Sequence, residues 1–112
     1  MDILDVISKG EAYSTEFKAR LSEKREILET ICAFSNSNGG TILIGVSDNG
    51  EILGVDIGRS TIEELINDIK FSIEPTIIPH VELVEIEGKK IIVIRVAEGL
   101  NKPYFFKGVA FR

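Results

Sequence analysis

Ser35-Asn36-Ser37-Asn38-Gly39-Gly40-Thr41-Ile42-Leu43-Ile44-Gly45-Val46-Ser47-Asp48-Asn49-Gly50 is the stretch that decides how this chain folds. It reads as a helix end, a glycine turn, a buried strand and a hairpin turn, run together without a spare residue. The paired glycines admit positive φ and a close backbone approach. Thr41 to Val46 is too continuously apolar for an edge strand and reads as buried on both faces. Asn49-Gly50 is a strong short hairpin signal, so a return strand is expected over Glu51 to Val55. The double glycine has the composition of a phosphate cradle. However, a helix ends there rather than begins, so its dipole has the wrong sign for an anion, and a helix cap is the first reading.

Working outward, Asp2 to Lys9 has the pattern of a short amphipathic helix with Ile3, Val6 and Ile7 on one side, stopped by Gly10. Tyr13 to Lys18 alternates, which predicts a strand with Tyr13, Thr15 and Phe17 on one face and Ser14, Glu16 and Lys18 on the other. Ser22 is the expected N-cap of a helix reaching Phe34 or Ser35. Ser60 and Glu63 have capping-box spacing at the head of a further helix that carries Ile62, Leu65, Ile66, Ile69 and Ile73 at helical period. Strands are expected over Ile78 to Ile86 and Lys90 to Val96. The alternation slips at Leu83 and Val84, which points to a bulge or a strand buried on both faces. Pro103 to Lys107 and Val109 to Arg112 form a last small hairpin around Gly108. The sum is a single α+β domain: a mainly antiparallel, mixed sheet, two main helices and a short N-terminal one. Ala110-Phe111-Arg112 reads as mid-strand, so the expectation is a domain cut from a longer chain.

The 112 residues suffice for one domain that buries roughly two thirds of its chain surface. No apolar run approaches the ~20 residues that span a bilayer, so no membrane partner is expected. The acidic start Met1-Asp2-Ile3-Leu4-Asp5 lacks the basic flank of a secretory signal. A single cysteine, Cys32, excludes an internal disulfide and fits a reduced cytoplasmic setting. One histidine besides, His80, leaves too few ligands of this type to point to a His/Cys zinc site. Cys32 itself reads as a small core residue and His80 as structural. The net charge of −5 opposes non-specific phosphate binding, but its distribution is uneven. Residues 1–56 hold 5 basic against 10 acidic side chains and so account for the whole imbalance. Residues 88–112 hold Lys89, Lys90, Arg95, Lys102, Lys107 and Arg112 against Glu98 alone.

These residues together resemble a known family. Glu11-x-x-x-x-Glu16-Phe17-Lys18, the helix end Ala33-Phe34-Ser35-Asn36-Ser37-Asn38-Gly39-Gly40, and Ile42-Leu43-Ile44-Gly45-Val46-x-Asp48-x-Gly50-x-Ile52-x-Gly54 are similar to the AlbA-like domain assigned to DNA binding and shared with the Schlafen family. Lys102-Pro103-Tyr104-Phe105-Phe106-Lys107-Gly108 matches the closing motif of that family. The resemblance implies one domain of a larger prokaryotic transcriptional regulator, with a winged-helix or ATPase-like portion downstream. In Schlafen proteins the module is duplicated into an RNA clamp, which a single copy would reach only as a homodimer. Some of them carry a metal-dependent ribonuclease centre of three carboxylates. Its first two are spaced as Glu11 and Glu16 are here, and Asp48 is the best match for the third, although the family's chain is longer in between.

Two site readings follow. For nucleic acid, DNA or RNA, the candidate contacts are Lys18, Arg20, Lys24 and Arg25 before and within the first turn of a helix. To these are added Asn36 and Asn38 in the glycine turn, and Lys102, Tyr104, Lys107 and Arg112 near the C-terminus. The cations would hold phosphates, and the run Tyr104-Phe105-Phe106 would supply stacking faces for unpaired bases, or else put Phe105 or Phe106 into the core. No cofactor is called for. For a nuclease, Glu11, Glu16 and Asp48 would hold Mg²⁺ or Mn²⁺ and Lys18 would assist an attacking water. The bland reading of Glu16 and Lys18 is a polar pair on a half-exposed strand, and that of Asp48 a turn residue bonding its own backbone. Binding rather than catalysis is the leading expectation. A dimerisation or interaction domain that positions a downstream effector is the third.

Overall fold

The computed structural model describes residues 2–12 and 14–112; the expected role of Tyr13 in a strand lies outside them. The first helix, α1 (Ile3–Lys9), is capped by the Asp2 carboxylate, which accepts the Leu4 N–H at 3.1 Å, and ends at Gly10. Strand β1 (Thr15–Lys18) is followed by helix α2 (Lys24–Asn36) and strand β2 (Gly40–Ile44). Then come α3 (Thr61–Ser72), the short β3 (Ile73–Glu74), β4 (His80–Ile86), β5 (Lys89–Val96) and the short β6 (Phe105–Phe106).

The main sheet has the order β1-β2-β5-β4, with β1 and β2 parallel and the other pairs antiparallel. A parallel pair needs a crossover, and α2 supplies it. The central strands are apolar throughout because both faces of the sheet are covered. Ile42, Ile44, Ile92 and Ile94 pack with α2 and α3, whereas Leu43, Ile91 and Val93 face α1 through Ile3 and Ile7. The fold is therefore the expected α+β domain with a mixed sheet, and β2 is its spine. The turn before β2 is a helix cap: the Ser37 and Gly39 N–H groups both donate to the Phe34 carbonyl, at 3.1 and 2.9 Å.

The hairpin after β2 takes a different form from the one its sequence predicts. The turn exists, with the Ser47 N–H donating to the Glu51 carbonyl at 2.9 Å. The return segment forms only one bridge, Val46 to Ile52. The reason is topological: β1 and β5 occupy both edges of β2. The segment instead drapes over the strand end, Leu53 and Gly54 donating to the Gly45 carbonyl and Val55 to that of Lys90.

Four smaller expectations are corrected. Ser22 does not cap α2; Glu23 stands at that position, and its carboxylate accepts the Arg20 N–H at 3.0 Å. Ser60 does head α3, but its hydroxyl donates to Glu64 at 3.1 Å rather than forming a capping box with Glu63. The β4–β5 register is unbroken from His80–Arg95 to Ile86–Lys89, so there is no bulge at Leu83 and Val84. As an edge strand β4 leaves Leu83 facing solvent, and that exposure produces the slip in its pattern. The last hairpin shrinks to one bridge, Phe106 to Val109, because β6 pairs with β3 instead.

Candidate functional site

The acidic residues of β1 are positioned by the strand's own alternation. Glu16 and Lys18 are in register with Ile42 and Ile44, which places them on the α2 face, with Phe17 buried on the other. Lys18 Nζ lies 3.9 Å from Glu16 Oε2. Glu11 loops back beside the free edge of β1, where its Oε2 accepts the Phe17 N–H at 2.8 Å. Burial raises the Glu16 carboxyl above its ordinary value, as does its hydrogen bond to Glu11 and the negative charge there; Lys18 opposes the shift and Asp48 adds to it. Asp48 is exposed in its turn, where Ser47 rather than Asp48 makes the side-chain bond, accepting the Glu51 N–H at 3.0 Å.

Oxygen donors of this kind suit Mg²⁺ or Mn²⁺. Among the described residues, however, no three acids come close enough together to hold an ion. Glu11 is already engaged by the backbone, and Asp48 acts on Glu16 only through its field. As arranged, the carboxylates do not fit a three-ligand metal site.

Glu16 also lines one end of a groove. A cleft of about 260 Å³ lies between Glu16, the C-terminal half of α2 and Arg112. Arg112 also lines the next cleft, together with Asn36, Lys102 and Pro103. Pro103 in turn borders a third with Pro75 and Phe105. Arg112 is exposed, with no carboxylate within ion-pair distance among the described residues.

The residues expected to contact nucleic acid are dispersed along α2. Lys18, Arg20, Lys24 and Arg25 gather at its N-terminal end, and Asn36, Lys102 and Arg112 at its C-terminal end, roughly 20 Å away for a 13-residue helix. Several of the cations have acidic partners: Lys24 with Asp68 at 2.6 Å, Arg25 with Glu29 at 3.4 Å, and Lys102 with Glu98 at 2.6 Å. Arg20 has no such partner among the described residues, and Lys107 lies over the Phe106 ring at 5.6 Å. Asn38 is exposed in the turn. The side-chain amide of Asn36 is committed to the backbones of Tyr104 and Phe111. Tyr104 is no stacking platform, since it is only 3% exposed and its hydroxyl accepts the Asn101 N–H. Of the aromatic run only Phe105, at 39%, reaches solvent.

Lys89 and Lys90, basic residues outside the contacts expected from the sequence, form a further surface. They line the most voluminous of these clefts, about 470 Å³, together with the draped segment Leu53 to Ile57. Antiparallel pairing of β5 with β2 brings them to the sheet end where Lys18 and Gly45 lie. Only that long-range register shows the proximity; the sequence offers just a Gly-Lys-Lys turn.

The profile of the family described as Schlafen, AlbA_2 matches residues 11–112. The chain belongs to that family. Among solved structures, this AlbA_2 domain resembles the N-terminal domain of a protein related to the ATP-dependent DNA helicase RecG, from Nitrosomonas europaea. The TM-score is 0.74 at 24% identity, over 99% of this chain and 85% of that one. It also resembles the DIP2311 protein from Corynebacterium diphtheriae, with a TM-score of 0.67 at 18% identity over 88% of this chain. The match spans only 22% of that second protein's length. At such identities the likeness is one of fold. No curated protein sequence matches the chain. Among the described residues no helix is long and apolar enough to cross a membrane.

Proposed function

We propose that this AlbA_2 domain is a nucleic-acid-binding module, contacting phosphates from the groove centred on Arg112. The observation that carries the reading is a pair of clefts at the C-terminal end of α2, both lined by Arg112, with Asn36 and Lys102 in the wall of the second. Membership of a family associated with nucleic acids supports it. The reading extends to DNA binding within a larger transcriptional regulator in the cytoplasm, and to a homodimer, because one copy offers one groove.

The test is binding of labelled DNA and RNA over a range of salt concentrations. Affinity is expected to fall with salt, and Arg112→Glu to flatten the logarithmic slope by about 0.7 to 0.9, one phosphate contact. Binding that is absent, or indifferent to salt, sinks the proposal.

A further inference from the structure

We infer that the groove takes a single-stranded rather than a duplex nucleic acid, with Phe105 as the stacking platform for one unpaired base. This rests on the nucleic-acid reading above and narrows its ligand. Three clefts share lining residues in turn: Arg112 borders the first and the second, and Pro103 the second and the third, where Phe105 also lies. Phe105 is a large aromatic ring 39% open to solvent in the wall of the third cleft, flanked by Pro75 and Pro103. Its neighbours in sequence, Tyr104 and Phe106, are buried at 3% and 4%, so packing satisfies them and leaves Phe105 over.

Charge disfavours a duplex. A double helix is held mainly through many phosphates, and its base faces are hidden in the stack. The clefts offer few cations: Arg112, and Lys102, whose ammonium is held 2.6 Å from Glu98. Glu16 and Glu74 line the same clefts and add negative charge. Binding that depends on so few phosphate contacts must draw on the bases. An exposed ring beside one arginine recognises a base face next to a phosphate, which only an unpaired strand presents.

The experiment compares three probes carrying equal numbers of phosphates: an oligothymidine strand, its abasic counterpart and a duplex. Wild-type protein is expected to bind oligothymidine about tenfold more tightly than the abasic strand, the worth of one base–aromatic stack. Phe105→Leu keeps apolar bulk but removes the π face and is expected to erase that difference, with the thermal melt confirming its fold. The chain contains no tryptophan, so Phe105→Trp introduces a single indole whose fluorescence should be quenched by oligothymidine and unchanged by the abasic strand. The inference is overturned if wild type binds the duplex or the abasic strand as tightly as oligothymidine. It is equally overturned if Phe105→Leu retains the preference, or if the indole is not quenched. Salt-dependent binding that ignores Phe105 leaves the nucleic-acid reading standing and removes only this inference; no binding to any probe removes both.

Discussion

Asn36 grips Tyr104 on both sides of its backbone. Its Oδ1 accepts the Tyr104 N–H at 2.6 Å, and its Nδ2 donates to the Tyr104 carbonyl at 2.9 Å and to the Phe111 carbonyl at 2.7 Å. One side chain at the end of α2 thus does the work of a strand partner for the closing segment. Next to it, the Ser35 carbonyl accepts the Gly99 N–H at 2.9 Å, so the helix end holds that segment at a further point. Arg112 follows the clasped Phe111, so its position in the groove depends on the same amide.

Replacing Asn36 should therefore cost both stability and binding. Asn36→Ala leaves a backbone N–H and two carbonyls without this partner, a loss of about 2–4 kcal/mol. Asn36→Asp keeps the acceptor for Tyr104 but turns a donor into an acceptor facing two carbonyl oxygens, and is expected to be no better. Urea midpoints measure the cost. A variant as stable as wild type refutes the clasp.

Gly39 should be irreplaceable where Gly88 is not. Both have left-handed φ, +82° and +78°. A Cβ on Gly39 would meet the Val96 carbonyl oxygen at 2.5 Å and the Glu98 nitrogen at 2.9 Å, both backbone atoms of the segment leaving β5. A Cβ on Gly88 meets nothing within 4 Å. Gly88→Ala is expected to cost the conformational penalty alone, about 1–2 kcal/mol. Gly39→Ala adds a clash with backbone that cannot swing aside, so its thermal midpoint should fall well below that of Gly88→Ala. Equal midpoints would mean that the approach at Gly39 is not tight.

That contrast also marks what the sequence could tell. The two-sided burial of β2 was legible because Ile42, Leu43 and Ile44 form an unbroken apolar run, and Gly39 and Gly40 mark the cap before it. Glu51 to Val55 has the pattern of a strand but forms only a single bridge, because pairing depends on edges, and only the assembled sheet reveals that β1 and β5 have taken both edges of β2. Phe17 behaves as alternation predicts, buried in β1. Tyr104 and Asn36 do not, because polar residues in a late loop and at a helix end carry no mark of the 68-residue contact that joins them. Glu11, Glu16 and Asp48 stand out individually in the sequence, but their spacing along the chain cannot say that Glu11 is drawn to the Phe17 N–H.

Cys32 should be chemically silent in the native protein. It is fully buried on α2, with its thiol donating to the Tyr104 carbonyl at 3.3 Å. Burial pushes the thiol up, partly offset by a backbone hydrogen bond from Phe111, so even less thiolate is present near pH 8 than in a free cysteine. Reaction with an aromatic disulfide reagent is expected to be slow in buffer and to accelerate in urea in step with unfolding. Rapid labelling in buffer would show that the closing segment opens independently of the rest.

Glu16 sets a pH dependence whose sign follows from its raised carboxyl. The folded protein holds this proton more tightly than the unfolded chain, so in the window between the two values the native state binds more protons. Stability linked to Glu16 is therefore complete below the ordinary value of 4.5 and is lost as pH rises through the higher folded value. Burial is the principal cause, followed by Glu11, so a neutral isostere should escape the loss. Glu16→Gln can also donate an N–H to Glu11 where the protonated acid donates its O–H. The expected result is a variant more thermostable than wild type at pH 7, with the gap closing as pH falls toward 4. A gap that widens on acidification would mean that Glu16 is stabilised as the anion, through Lys18 at 3.9 Å.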